Sequence, residues 1–173
     1  MDDRTLINGC IKGESRSQKQ LYEKYAPAMM SICLRYVGEK ETACDLMHDG
    51  FIAIFTKIHT YSGKASFSTW IKKIFMNTVV DYFRTNDILR FSTDIDDAYN
   101  LEDTGVSVFE QMSENELLDC IGRLPDGYRT VFNMYAIEGY SHAEIAQMLN
   151  IQESASRSQY VRARQALQKM VTK

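Results

Sequence analysis

The residues with the clearest chemical potential lie near the carboxyl end of the chain. Arg157, Ser158 and Gln159 are consecutive, and Val161 and Arg162 follow closely. An arginine can form two hydrogen bonds with the edge of guanine, a glutamine can do the same with adenine, and an apolar side chain suits the thymine methyl group. Such contacts require a helix in the major groove of DNA that presents its first turns to the bases. The segment therefore predicts sequence readout in duplex DNA.

Two helices and a tight turn are expected to position these side chains. Ser141, with Glu144 three residues later, is typical of a capping box at a helix start. The apolar periodicity breaks at residues 150–152, and a second helix is predicted from about Glu153 to Met170. Five Lys or Arg residues follow Glu153 without another acid. The pattern indicates a helix-turn-helix with a basic second helix. An ordinary amphipathic helix with solvated charges is the alternative.

A second nucleic-acid signal lies between Lys64 and Lys73, where aromatic and basic residues alternate at a loop-to-helix junction. Aromatic rings can stack on an unpaired base while lysines bind its phosphates. Phe67 and Trp70 are three positions apart, however, so the same pattern is equally typical of core residues. The segment predicts either a single-stranded DNA site or part of a helical core.

Acidic and apolar residues share one face of a predicted helix farther towards the amino terminus. Asp45 and Asp49 are four positions apart, next to Phe51, Ile52 and Phe55. No further ligands lie nearby for a metal ion or an acid–base pair. A protein-contact surface with an acidic rim and an apolar centre is favoured, and an ordinary amphipathic core helix is the alternative.

The composition excludes several classes of protein. Among 173 residues, 45% are apolar, with two prolines and nine glycines, which favours long helices. No apolar run approaches the roughly 20 residues of a membrane span, and the amino-terminal residues lack the pattern of a signal peptide. Four scattered cysteines favour a reducing, cytoplasmic location. Three histidines, no phosphate-binding glycine loop and no nucleophile motif argue against a metal centre, a cofactor or an enzyme.

The charge is distributed unevenly. The net charge is −3, but residues 91–122 contain nine acidic residues and no Lys or Arg, and both flanking segments are basic. Residues 94–103 lack helical periodicity and are typical of a linker. We predict an all-α protein with two small helical domains, residues 1–90 and 114–173, joined by an acidic flexible linker at 91–113. The first domain is expected to be a bundle of three to four helices, over 17–37, 41–57 and 67–85 at least, and the second a four-helix unit that ends in the helix-turn-helix.

Two sequence blocks are specific in combination: F-S-T-W-I-K-K-I at 67–74 and G-Y-S-H-A-E-I-A at 139–146. With the segments around them they resemble the sigma-70 superfamily of bacterial transcription initiation factors, and more specifically the small extracytoplasmic-function (ECF) group, which keeps only regions 2 and 4. The resemblance covers nearly the whole chain. It implies a factor that binds core RNA polymerase, directs it to promoters and helps to melt the minus-ten element.

The resemblance also implies roles for individual residues. Those expected to bind polymerase are Asp45, Asp49, Phe51, Ile52 and Phe55 in region 2, and Leu124, Tyr128, Val131 and Phe132 in region 4. Those expected at the minus-ten element are Lys64, Ser66, Phe67, Trp70, Lys73 and Asn77. Those expected at the minus-thirty-five element are Arg157, Ser158, Gln159, Val161 and Arg162, with His142 near a backbone phosphate. An anti-sigma factor is a further expected partner.

The sequence departs from the family pattern in the helix-turn-helix. Asn150 stands where glycine is usual, and asparagine tolerates a left-handed backbone better than most residues. Ser154, Ala155 and Ser156 replace the commoner glycine, threonine and valine, so no promoter sequence is transferred. Two other functions stay open. A stand-alone helix-turn-helix regulator would leave the aromatic loop and the acidic linker without a role, and a protein adaptor would leave the basic helix face unexplained.

Overall fold

The computed structural model describes residues 2–86 and 112–171, and these residues form eight α-helices without a β-strand. The all-α prediction is therefore confirmed. The predicted acidic linker, residues 91–113, falls almost entirely outside the described residues and stays a prediction. Two compact units are present. The first comprises residues 2–34 and 39–82, and the second comprises Arg35–Gly38 together with the described residues from Phe83 onwards.

Four helices supply the first unit: α1 (Asp3–Ile11), α2 (Ser15–Val37), α3 (Lys40–Lys57) and α4 (Phe67–Thr85), with a 3-10 turn at Ile58–Thr60. The three helices given by residue range in the prediction are present and agree within two residues at each end. The additional helix, α1, begins because the Asp2 side chain accepts a hydrogen bond from the Thr5 amide at 3.0 Å.

Aromatic rings connect α2, α3 and α4. Phe51 lies between Tyr22, at a ring-centroid distance of 4.6 Å, and Phe75, at 5.5 Å. The ring of Phe75 in turn lies against Gly50. Fully buried apolar side chains complete this core: Leu21, Met29, Ile54, Ile58 and Ile71.

The second unit contains α5 (Glu114–Gly122), α6 (Asp126–Phe132), α7 (His142–Leu149) and α8 (Glu153–Val171). This confirms the predicted four helices. Helix α6 continues directly into a π-helical turn, Asn133–Ile137. The core of the unit is formed by α5, α6 and α8 through Ile121, Leu124, Phe132, Ala163 and Leu167. This packing fixes the position of α8.

The buried side chain of Arg129 forms hydrogen bonds with carbonyl groups at and just after the end of α5. Arg129 is 5% exposed, and its Nη1 donates to the carbonyl oxygens of Gly122 and Leu124, both at 3.1 Å. Its Nε donates at 2.7 Å to the carbonyl oxygen of Tyr36, which belongs to the same unit, and its guanidinium pairs with Asp126. The last carbonyl groups of a helix have no partner within the helix. Arg129 therefore satisfies the carbonyl groups of two buried residues, Leu124 and Tyr36, and that of Gly122 at the exposed end of α5.

Candidate nucleic-acid interfaces

The helix-turn-helix has the local geometry that its sequence predicts. Ser141 Oγ accepts a hydrogen bond from the Glu144 amide at 3.1 Å, and the Glu144 carboxylate accepts one from the Ser141 amide at 2.8 Å, which completes the capping box. Asn150 ends α7 in the left-handed conformation, with φ 54° and ψ 47°. The tight turn thus forms without glycine, as expected.

Helix α8 presents two different faces. Ser156, Ala163 and Leu167 are fully buried against the core of the second unit. On the opposite side, Arg157 and Ser154 are exposed, and a half-buried group continues the same face: Ser158, Val161, Arg162 and Gln165. The exposed side has the chemistry expected of a helix that binds bases and phosphates.

Gln159 corrects the predicted set of base-contacting residues. The side chain is 5% exposed and lies on the buried face, because position 159 is three residues after Ser156 and four before Ala163. A residue that faces the core cannot contact a base edge. Ser158 is half-buried, and its hydroxyl donates to the Ser154 carbonyl at 3.0 Å. The hydroxyl oxygen can still accept a hydrogen bond from DNA.

His142 joins the two helices of the motif. Its Nδ1 lies 2.9 Å from Ser156 Oγ, and its ring stacks on Tyr135 at a centroid distance of 4.2 Å. Ser156 stands where valine is commoner in the family, and His142 provides its buried hydroxyl with a partner. Burial lowers the pKa of His142, and the neighbouring Arg157 lowers it further, while Glu153 raises it.

The lowered pKa of His142 predicts a pH dependence of stability. Because the folded-state pKa lies below the ordinary value of 6.5, protonation favours the unfolded chain. This contribution is present above the unfolded pKa and is lost as the pH falls through the folded pKa. We expect His142→Asn to reduce the loss of stability of α7 and α8 between about pH 8 and about pH 5, measured by amide hydrogen exchange.

The matched control for that prediction is His48→Asn, an exposed histidine of α3 in the first unit. It should leave the pH dependence of α7 and α8 as in the parent chain. Parallel loss of stability in the parent chain and in His142→Asn would contradict the role of His142.

An aromatic cluster lies at the start of α4. Tyr61, Phe67 and Trp70 form a triangle with ring-centroid distances of 5.1 to 5.6 Å. Ser66 begins the helix, because its Oγ accepts from the Thr69 amide at 3.2 Å. Trp70 is half-buried, whereas several polar residues around it are exposed: Lys64, Ser66, Lys73 and Asn77. The edge of the cluster can therefore stack on a base with lysines nearby.

Phe67 lies in the core, which is one of the two alternatives that its sequence pattern left open. It is 4% exposed and packs on Tyr25 at a centroid distance of 5.7 Å as well as on Trp70. The ring supports Trp70 from within the core and has no free face for a base. Tyr61, which was not among the predicted site residues, is also a member of the cluster, and its hydroxyl donates to the Ala65 carbonyl at 2.7 Å.

The predicted polymerase-binding residues divide by burial. Asp45, Asp49 and Ile52 are exposed on one face of α3, and Ile52 is 64% exposed. Phe55 and Tyr128 are half-buried. Four residues are corrections, because they lie in the cores at 1–7% exposure: Phe51, Leu124, Val131 and Phe132. Their apolar side chains lie in the cores and hold in place the helices on which the exposed residues lie.

No group of three potential metal ligands occurs within 2–86 and 112–171, and no helix there is long and apolar enough to cross a membrane. All four cysteines are free thiols.

Comparison with known proteins agrees with this arrangement of helices. Residues 21–88 match the family model of sigma-70 region 2, and residues 114–167 match that of sigma-70 region 4. The chain therefore belongs to the sigma-70 family, as a member of its ECF type. It is a transcription initiation factor and not an enzyme, in a family that binds core RNA polymerase and promoter DNA.

Relatives and solved structures extend over most of the chain. The chain is 25% identical over 183 residues to the ECF RNA polymerase sigma-E factor of Haemophilus influenzae, covering 99% of this chain and 96% of the relative. It is 26% identical over 182 residues to the sigma-E factor of Escherichia coli, covering 99% and 95%. The fold is similar to that of the sigma factor RpoE from Bartonella quintana, solved with the anti-sigma factor NepR, at a TM-score of 0.52 and 18% identity over 89% of this chain and 96% of that one.

Proposed function

We propose that this sigma factor binds core RNA polymerase through α3, directs it to promoters through α8 and α4, and helps to melt the minus-ten element. The observation that carries the proposal is the basic face of α8, on which Arg157 is exposed and Arg162 half-buried, held by a complete helix-turn-helix whose opposite face is buried. Such a factor acts in the cytoplasm with the polymerase, and an anti-sigma factor is a proposed partner, as in the complex of the Bartonella quintana protein.

The proposed contacts with the minus-thirty-five element follow the exposed side of α8. Arg157 binds a base edge, Val161 contacts a thymine methyl group, and Arg162 and Ser158 bind bases or phosphates. His142 aligns α8 through Ser156. Its position at the start of α7 also suits a contact with a backbone phosphate.

The proposed contacts with the minus-ten element surround Trp70. The exposed residues Lys64 and Lys73 attract the phosphates of the separated strand. Ser66 and Asn77 offer hydrogen bonds to an extruded base, and the half-buried indole offers a stacking surface. Phe67 and Tyr61 support that surface from behind.

The proposed polymerase surface centres on Ile52. A 64% exposed isoleucine shares one face of α3 with the exposed carboxylates of Asp45 and Asp49, and lies about one turn beyond Asp49. The face thus combines an apolar residue with neighbouring acids, as interfaces often do. Phe55 extends the apolar area one turn along α3, and Tyr128 is the proposed contact from the second unit.

The Ile52→Glu variant tests this surface. We expect about tenfold weaker binding to core RNA polymerase, because a charge replaces the apolar centre of the interface. The measurement is competition for core polymerase against the labelled parent chain. Ile11→Glu is the matched control, since Ile11 is 50% exposed on α1 of the same unit. Equal effects of both variants, or no effect of Ile52→Glu, would contradict the assignment of this face.

Run-off transcription tests the function as a whole. Core polymerase with the protein should start transcription on a random DNA library at sites that share two spaced elements, and core polymerase alone should not. Specific DNA binding by the free protein without new transcripts would instead support the stand-alone regulator.

A further inference from the structure

One acidic residue lies on the face of α8 that is proposed to meet DNA. Glu153 is the only Asp or Glu between residues 153 and 171. Its carboxylate pairs with the guanidinium of Arg157 one turn farther along the helix. The two side chains are 46% and 63% exposed. The pair thus occupies the first turns of the helix, where base edges are contacted.

Helix stability alone gives Glu153 a modest role. A carboxylate in the first turn and an exposed pair four residues apart each contribute a few tenths of a kcal/mol. The same carboxylate repels the phosphates of every DNA sequence, which opposes binding to all of them. Any favourable effect of Glu153 on DNA binding must therefore come from its ion pair with Arg157.

The pairing changes what Arg157 can bind. A guanidinium has five N–H donors in a rigid fork, so the carboxylate can hold part of the fork while other donors reach guanine O6 and N7. A side chain that is already held loses less conformational freedom on binding. The negative charge of the partner also weakens attraction to phosphates, which carry no sequence information.

The position of the pair favours this role. Arg157 and Glu153 both act electrostatically on the ring of His142, the residue that joins α7 to α8. Glu153 is the first residue of α8, directly after the turn that follows α7, so the ion pair lies at the start of the helix beside that turn.

We infer that Glu153 is a specificity-determining residue that acts through Arg157: it orients the guanidinium towards a base edge and opposes its capture by phosphates. The inference rests on the proposed function of α8. Its prediction is that removal of the carboxylate strengthens binding to DNA in general and weakens the choice among sequences.

The experiment uses the full chain with core RNA polymerase. A duplex library randomised upstream of the start site is selected for binding and sequenced, and retention of an unrelated duplex is measured in parallel. We expect Glu153→Gln to lower discrimination at one or two base pairs by about fivefold. Retention of the unrelated duplex should rise severalfold and depend more steeply on salt.

Asp119→Asn is the matched control. Asp119 of α5 forms an ion pair with Arg123, four residues later at the end of that helix and outside the helix-turn-helix, with side chains 66% and 68% exposed. It removes the same charge from the same unit and should leave discrimination unchanged. An equal change in both variants would overturn the inference, because net charge alone would then explain it.

Arg157→Ala supplies the test of mechanism. If Glu153 acts through Arg157, Glu153→Gln causes no further loss of discrimination in the Arg157→Ala background. An additional loss at a separate base pair would overturn the inference, because Glu153 would then contact that base itself. Unchanged discrimination in Glu153→Gln would also overturn it. Absence of any enriched sequence with the parent chain would instead overturn the proposed function of α8.

Discussion

Replacement of Arg129 with methionine is expected to destabilise the second unit by about 3 kcal/mol. The substitution removes the donors that satisfy the carbonyl groups of Gly122, Leu124 and Tyr36, and Leu124 lies in the core. Each buried acceptor without a donor costs about 1–3 kcal/mol, and the apolar methionine recovers part of this by burial. Loss of that order would greatly increase opening of the unit that carries α8.

Arg123→Met is the control for this prediction. Arg123 is exposed on α5 and pairs with Asp119, so its loss should cost less than about 0.5 kcal/mol. Amide hydrogen exchange of α5 to α8 measures both variants without assuming that the two units unfold together. If Arg129→Met exchanged like Arg123→Met, the carbonyl groups would have found other partners and the role of Arg129 would be smaller than its contacts indicate.

Replacement of Gly50 with alanine is expected to destabilise the first unit by about 2 kcal/mol. A Cβ atom at this position would lie 2.5 Å from the Phe75 ring, which is fully buried. Overpacking of this kind costs about 1–3 kcal/mol or somewhat more, whereas alanine is about 1 kcal/mol better than glycine inside a helix. The steric cost exceeds the gain in helix propensity because the Phe75 ring also packs on Phe51 and cannot move away freely.

Phe75→Leu provides the test by rescue. A smaller side chain at position 75 should make room for the new methyl group, so Gly50→Ala should cost less in that background. Fluorescence of Trp70, the only tryptophan of the chain, follows unfolding of the first unit in urea. Additive effects of the two substitutions would show that the contact with Phe75 is not the source of the destabilisation.

The buried residues of each unit position the helices whose outer faces form the proposed binding surfaces. Phe51 packs in the core of the first unit, while its neighbour Ile52 on α3 is exposed. In the second unit, Leu124 and Phe132 pack in the same core as the buried residues of α8. We therefore expect substitutions at the buried positions to reduce binding through loss of structure. Substitutions at exposed positions such as Ile52 or Arg157 should reduce binding with the fold retained.

Much of the architecture follows from residues close together in the sequence. The helical periodicity of residues 17–37, 41–57 and 67–85 depends on neighbours within a few positions, and so do the capping box of Ser141 and Glu144 and the left-handed Asn150. The basic side of α8 was predicted for the same reason. Local hydrogen bonds and a period of 3.6 residues decide these features, so the sequence by itself determined an all-α chain with a helix-turn-helix.

Tertiary structure decided which side chains are available at each surface. Periodicity does not distinguish a side chain at the centre of an apolar face from one at its edge, so Gln159 and Phe67 were assigned to surfaces although both are buried. The partner of Ser156 lies 14 residues away, and the Phe75 ring that excludes a side chain at Gly50 lies on another helix. Burial depends on contacts between segments distant in the chain, and only the packing of the helices brings those segments together.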